Sequence, residues 1–131
     1  MKKILITIFL SIFSIGFAQT SINIMTKDFM YRHKIENDKW SEWSDILKTS
    51  YKINIDLENK KIVFINQDND EKTIYTIKSE NFSEQDKVRF IVSDSKEVYY
   101  LIQIVSFKNY AEKVLQLLSK NMERVYTVTL F

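Results

Sequence analysis

Tyr51-Lys52-Ile53-Asn54-Ile55-Asp56-Leu57, then Glu58-Asn59-Lys60, then Lys61-Ile62-Val63-Phe64-Ile65: the fold turns on this stretch. Tyr51, Ile53, Ile55 and Leu57 alternate with Lys52, Asn54, Asp56 and Glu58, the period-two pattern of a strand with one buried and one solvated face. The polar triplet Glu58-Asn59-Lys60 bends the chain, and Lys61 to Ile65 returns as the hairpin partner. The same pattern continues downstream. Lys72 to Lys78 places Thr73, Tyr75 and Ile77 on one face, and Val88, Phe90 and Val92 alternate with Arg89, Ile91 and Ser93. Val98 to Phe107 is apolar on both faces, as for a strand near the middle of a sheet. Tyr126, Val128 and Leu130 against Thr127 and Thr129 make a closing strand. Upstream, Phe29, Tyr31, His33 and Ile35 alternate with Met30, Arg32 and Lys34 and predict the first strand.

The chain holds a single glycine, Gly16, and no proline. Tight turns therefore fall to Asn and Asp, whose short side chains bond nearby amides and tolerate left-handed backbone. They stand where turns are wanted, at Asn37-Asp38, Glu58-Asn59-Lys60, Asp68-Asn69-Asp70, Asp94-Ser95-Lys96 and Lys120-Asn121. Two segments are ambiguous. Trp40 to Ile46 reads as an answer to the first strand or, since Trp40 and Trp43 are three apart, as one helical face. In the stretch 110–120, Ala111, Val114, Leu115 and Leu118 form a helical stripe, but Lys113 to Leu118 serves equally as a strand paired with Val125 to Leu130. The fold class that follows is mainly β: an antiparallel up-and-down meander curled into a small barrel or strongly coiled sheet, with a short helix at 110–120 as the open alternative.

Met1-Lys2-Lys3, the run from Ile4 to Ile15 and Gly16-Phe17-Ala18 read as the basic, apolar and cleavage regions of a secretory signal peptide over residues 1–18, leaving one domain over 19–131. The apolar run is short of the ~20 residues of a permanent membrane helix. Lys2 and Lys3 carry all of the net charge of +2, so the exported chain is neutral, its 17 acidic residues matched by as many basic ones. Neutrality removes the electrostatic footprint of a nucleic-acid partner. Cysteine is absent, which excludes disulfides, thiolate catalysis and thiolate metal sites. The expectation is a periplasmic or extracellular protein.

No constellation of catalytic residues stands out. His33, the one histidine, lies between Arg32 and Lys34 without a metal or dyad motif. Asp68, Asp70 and Glu71 offer oxygen ligands for a hard cation, yet lack the spacing and glycine of a calcium loop and read as a solvated turn. Glu42 and Asp45 are not brought together by any pattern. The chain is accordingly expected to be non-catalytic, with no cofactor and no metal. Trp40 and Trp43, in the polar run Lys39-Trp40-Ser41-Glu42-Trp43-Ser44, are the candidate binding residues for a sugar, a peptide or an apolar ligand, with packing at a barrel end as the structural alternative. Stable membrane insertion is not expected: stepping back by twos from Phe131 gives Thr129, Thr127, Val125 and Glu123, too polar for a lipid-facing band.

The Lys-Lys-led signal ending Phe17-Ala18-Gln19, the aromatic early strand, the Ile53 to Phe64 hairpin, the Tyr75 strand and the closing Val125-Tyr126-Thr127-Val128 together resemble a loose group of short secreted β-rich proteins of Bacteroidetes-type bacteria. In outline such proteins are similar to small lipocalin-like barrels, although the glycine and tryptophan motif of true lipocalins is missing near the first strand. The resemblance implies a carrier of a small ligand; a protein-interaction or inhibitor module is the second expectation, and a carboxylate-dependent hydrolase the third.

Overall fold

A computed structural model describes residues 21–106 and 113–130. The signal peptide expected at 1–18 and the first part of 110–120 lie outside the described residues. Nine strands follow in chain order: β1 Ser21–His33, β2 Leu47–Lys48, β3 Tyr51–Asp56, β4 Lys61–Asn66, β5 Lys72–Asn81, β6 Lys87–Ser93, β7 Tyr99–Ser106, β8 Lys113–Leu118 and β9 Met122–Leu130. Each of β3 to β9 pairs antiparallel with the next, and β9 returns to β1 along a register from Ile24↔Leu130 to His33↔Met122. Eight strands thus close into an up-and-down barrel, with β2 a short addition on β1 through Asp28↔Lys48 and Phe29↔Leu47. Closure removes edge strands from the barrel and leaves unpaired only local stretches, the part of β1 beyond β3 and the start of β5 facing β6.

The hairpin Tyr51 to Ile65 forms as its alternation requires, with Ile53↔Phe64 and Ile55↔Ile62 in register. The ambiguity at 110–120 resolves against the helix over its described part: Lys113–Leu118 is β8, paired with β9 through Leu115↔Tyr126. Its helical stripe is coincidental, and the deciding quantity is tertiary. Leu115 and Leu117 both enter the barrel core, whereas Val114 and Leu118 take the outer side. The first strand is longer than the aromatic alternation suggested, starting at Ser21. A bulge between Thr26 and Asp28 resets its parity, so Ile22, Ile24 and Thr26 point inward before the bulge and Phe29 and Tyr31 after it.

The interior is built from the inward positions of all eight strands. Ile24, Ile53, Phe90, Ile102, Leu115 and Val128 have no solvent-accessible surface at all (0%), so none of them borders a void of water size. Fully burying such a side chain contributes about 1.5–3 kcal/mol, the main force available to a chain without disulfides. The turns meet the shortage of glycine in two ways. Asx side chains hold backbone amides, as in Asn59 N–H to Asp56 Oδ1 (3.1 Å), Asp68 N–H to Asn66 Oδ1 (3.0 Å) and Lys96 N–H to Asp94 Oδ1 (2.9 Å). The left-handed positions fall on Asp38, Lys60, Asp70 and Glu97, with φ of 57 to 63°.

Candidate functional site

Hairpin connectivity puts the segment 34–50 and the β4–β5, β6–β7 and β8–β9 turns at one end of the barrel. Segment 34–50, here called the strap, runs from the end of β1 to β3 and contains both candidate tryptophans. It begins with a 3-10 turn at Glu36–Asp38 and returns along β1 without becoming a strand, apart from the bridge Lys34↔Trp40 and β2. Two serines make that return. Ser41 N–H donates to the His33 carbonyl (2.8 Å) while its Oγ accepts the His33 amide (3.0 Å). Ser44 does the same with Tyr31, at 2.8 and 3.0 Å. Each hydroxyl then donates to the following carbonyl, Ser41 to Glu42 and Ser44 to Asp45. A Trp-Ser unit repeating every three residues is thereby matched to a β1 unit repeating every two, and the exposed edge of β1 beyond β3 is satisfied.

The same repeat aims Trp40 and Trp43 at Arg32, on the outer face of β1 between the two serine-bonded residues. The Arg32 guanidinium lies 4.7 Å from the Trp40 ring centre and 4.6 Å from that of Trp43, and Lys34 Nζ lies 5.4 Å from Trp40. Trp40 is half-buried and Trp43 is 39% exposed. Arg32 also pairs with Glu123 of β9, Nε to Oε1 at 2.9 Å and Nη2 to Oε1 at 2.7 Å. From Glu123, only 6% exposed, polar contacts continue across the outer wall: Gln116 Nε2 to Glu123 Oε2 (3.4 Å), Gln103 Nε2 to Gln116 Oε1 (2.5 Å) and Arg89 Nε to Gln103 Oε1 (2.7 Å). Arg89 reaches Glu84 at 3.4 Å. The tryptophans thus cover the end of a five-strand polar stripe, in cation–π contact with its terminal guanidinium.

Inside the wall, the strap end differs from the rest of the barrel. Its inward positions carry Tyr51 on β3, Tyr75 on β5, Tyr100 on β7, Tyr126 and Arg124 on β9, and Phe29 and Tyr31 on β1. Their rings form a connected cluster: Tyr51 to Tyr126 at 6.1 Å, Phe64 to Tyr75 at 5.5 Å, Tyr75 to Tyr100 at 5.4 Å and Phe29 to Tyr126 at 5.5 Å. Burial pushes the Tyr75 phenol well above the ordinary tyrosine value. It does the same to Tyr100, helped by the hydroxyl's bond to Asp94 Oδ2 (3.2 Å), and to Tyr126, where Arg124 opposes the shift. Burial works against the Arg124 charge, but its hydrogen bond to Tyr126 and the neighbouring Tyr51 and Tyr75 outweigh that and hold the guanidinium above its ordinary value. Asp94 is held below the usual carboxylate range by the amides of Val98 and Lys96 and by Tyr100.

Beside this cluster β5 and β6 part. Their pairing ends at Thr76↔Ser93, and beyond it an open groove of about 430 Å³ is lined by Lys72, Thr73, Ile74, Asp94, Ser95 and Lys96. Sequence reasoning singled out the tryptophans and missed Arg124 and the tyrosines. The signal was present. Tyr126, Val128 and Leu130 read as one inward face, and two residues before Tyr126 the same face carries Arg124. Among the described residues, no three or more of His, Asp and Glu converge as metal ligands. Comparison with protein families, with curated proteins and with solved structures finds no match.

Proposed function

We propose that this protein is an exported, non-catalytic barrel that binds a small ligand at its strap end. The observation that carries this reading is the change of inward chemistry along the barrel axis. The middle is fully buried Ile, Val, Leu and Phe, while the strap end presents phenols, a guanidinium and a carboxylate in an aromatic setting. A few polar groups converging among aromatic rings is the usual make-up of a small-molecule site. The filled middle argues for a ligand seated at the mouth rather than swallowed by the barrel. The apolar-inside arrangement also supports an aqueous working environment, because a lipid-spanning barrel carries its apolar band outside.

Intact mass measurement of the protein under gentle conditions, purified from the cell that produces it, is expected to show a small-molecule adduct that dissociates on activation. A single unadorned mass before and after activation overturns the reading. A second reading, capture of another protein, is favoured by the exposed apolar side chains of the strap, Ile35, Trp43, Ile46 and Leu47, with Ile46 at 70% exposure. The double variant Ile46→Ser with Leu47→Ser leaves the core untouched. It is expected to keep the small-molecule adduct, and loss of a captured protein without loss of the adduct would favour this second reading.

A further inference from the structure

The chain has three arginines, and their surroundings differ in one decisive respect. Arg32 is paired with Glu123 and Arg89 with Glu84, both on the outer wall. Arg124 is on the inner face, adjacent in sequence to Glu123 but across the sheet from it. Its register partners are Tyr31 on β1 and Leu117 on β8, and its electrostatic neighbours are the phenols of Tyr126, Tyr51 and Tyr75. A phenol is a neutral acceptor at ordinary pH and leaves the planar donor fork of a guanidinium short of a counter-charge. Asp94, linked to the same ring cluster through Tyr100, has its Oδ1 on the amides of Lys96 and Val98 and its Oδ2 on the Tyr100 hydroxyl.

A half-buried cation carries a desolvation cost that an anion in contact would offset, and phenol hydroxyls around it can add donors to the same anion. The groove beside the ring cluster carries Lys72 and Lys96 together with Asp94. The rings set the rest of the ligand. Tyr51 and Tyr100, half-buried at this end, offer ring edges and faces, while Tyr75, Tyr126 and the side chains beneath them are buried, so a long acyl tail has no channel to follow. We infer that the strap end is a seat for a carboxylate carried on a compact aromatic or apolar body, with Arg124 as its anchor. This rests on the binding reading above and gives it a ligand class.

The test is a titration of 15N-labelled protein with benzoate, benzamide and inorganic phosphate, following the arginine Nε–H resonances. Benzoate moves the Arg124 signal saturably while those of Arg32 and Arg89 stay still. Benzamide, with the same body and no charge, binds at least about tenfold more weakly, as loss of a charge-assisted fork requires. Equal affinity for benzoate and benzamide, or parallel movement of all three arginines, overturns the proposal. Phosphate binding as tightly as benzoate does so too, since it makes the site a bare oxyanion site. Arg124→Lys keeps the charge without the fork and is expected to weaken benzoate by about tenfold; Arg124→Met abolishes binding, with an unchanged amide fingerprint showing that the barrel is intact. Benzoate affinity unaltered in a folded Arg124→Met variant refutes the anchor. A native adduct on a protein whose Arg124 ignores benzoate leaves the binding reading standing and removes this one.

Discussion

Arg32 and Arg124 sit on neighbouring strands, on opposite sides of the same wall, and their environments could hardly differ more. Arg32 has a carboxylate in line, two indole rings within 5 Å of its guanidinium and a polar stripe running behind its partner. Arg124 has phenols and a rim. The first arrangement spends every recognition capacity of a guanidinium on the protein itself, through charge pairing, directed hydrogen bonds and ring stacking. The second leaves capacity over. A residue whose chemistry is saturated within the chain braces the fold, and one left with unspent donors is available to something outside it.

This contrast can be broken in four ways. The largest effect concerns the inner face as a whole. Tyr75, Tyr100 and Tyr126 have raised pKa values, so the folded state keeps them neutral while the unfolded chain ionises near pH 10. Their contribution is complete below about pH 10 and lost as pH climbs toward the folded values. The phenolate absorbance of these three should therefore appear at a late stage of the titration, together with loss of circular dichroism. A single stage with the fold intact would mean that the inner phenols are solvated.

Next comes Glu123→Ala, which strands Arg32 and Gln116 on the outer wall and is expected to cost about 2–3 kcal/mol in urea unfolding, less than a fully buried pair because Arg32 is 30% exposed at its side chain. Replacing Trp40 or Trp43 by Ala removes one ring from Arg32 and is expected to cost about 1 kcal/mol each, with the two variants non-additive because they share the guanidinium. Smallest is Arg124→Met, expected to change stability by less than about 1 kcal/mol in either direction, since it exchanges a desolvated cation for an apolar chain of similar length. If it costs as much as Glu123→Ala, Arg124 is a brace and the contrast with Arg32 disappears.

Alternation made most of the barrel legible from sequence. Ile53, Ile55, Ile62 and Phe64 announce their hairpin, and the Asn and Asp turns fall between strands as their chemistry requires. Less legible was which residue takes the left-handed position: Lys60 and Glu97 adopt positive φ, while nearby Asn59 donates its backbone and side-chain N–H groups to Asp56 and Asp94 accepts the Lys96 amide. Periodicity also could not settle Val114, Leu115 and Leu118, whose spacing fits a helix until Leu117 and Leu115 find the core together. At the tryptophans, sequence located the right segment and left its chemistry open, because the three-residue repeat of Trp and Ser acquires meaning only beside Arg32, Tyr31 and His33. The bulge at Thr26 hid the start of the same strand, because Ile22 and Ile24 stand at the opposite parity to Phe29 and Tyr31.

The seam between β1 and β9 joins Ile24 to Leu130 and His33 to Met122, almost the greatest separations the described chain allows. Until the last strand exists, β1 has only β3 and the strap to hold it, and the wall stays open on one side. Closure of this seam carries the loop entropy and the slow kinetics of long-range strand pairing.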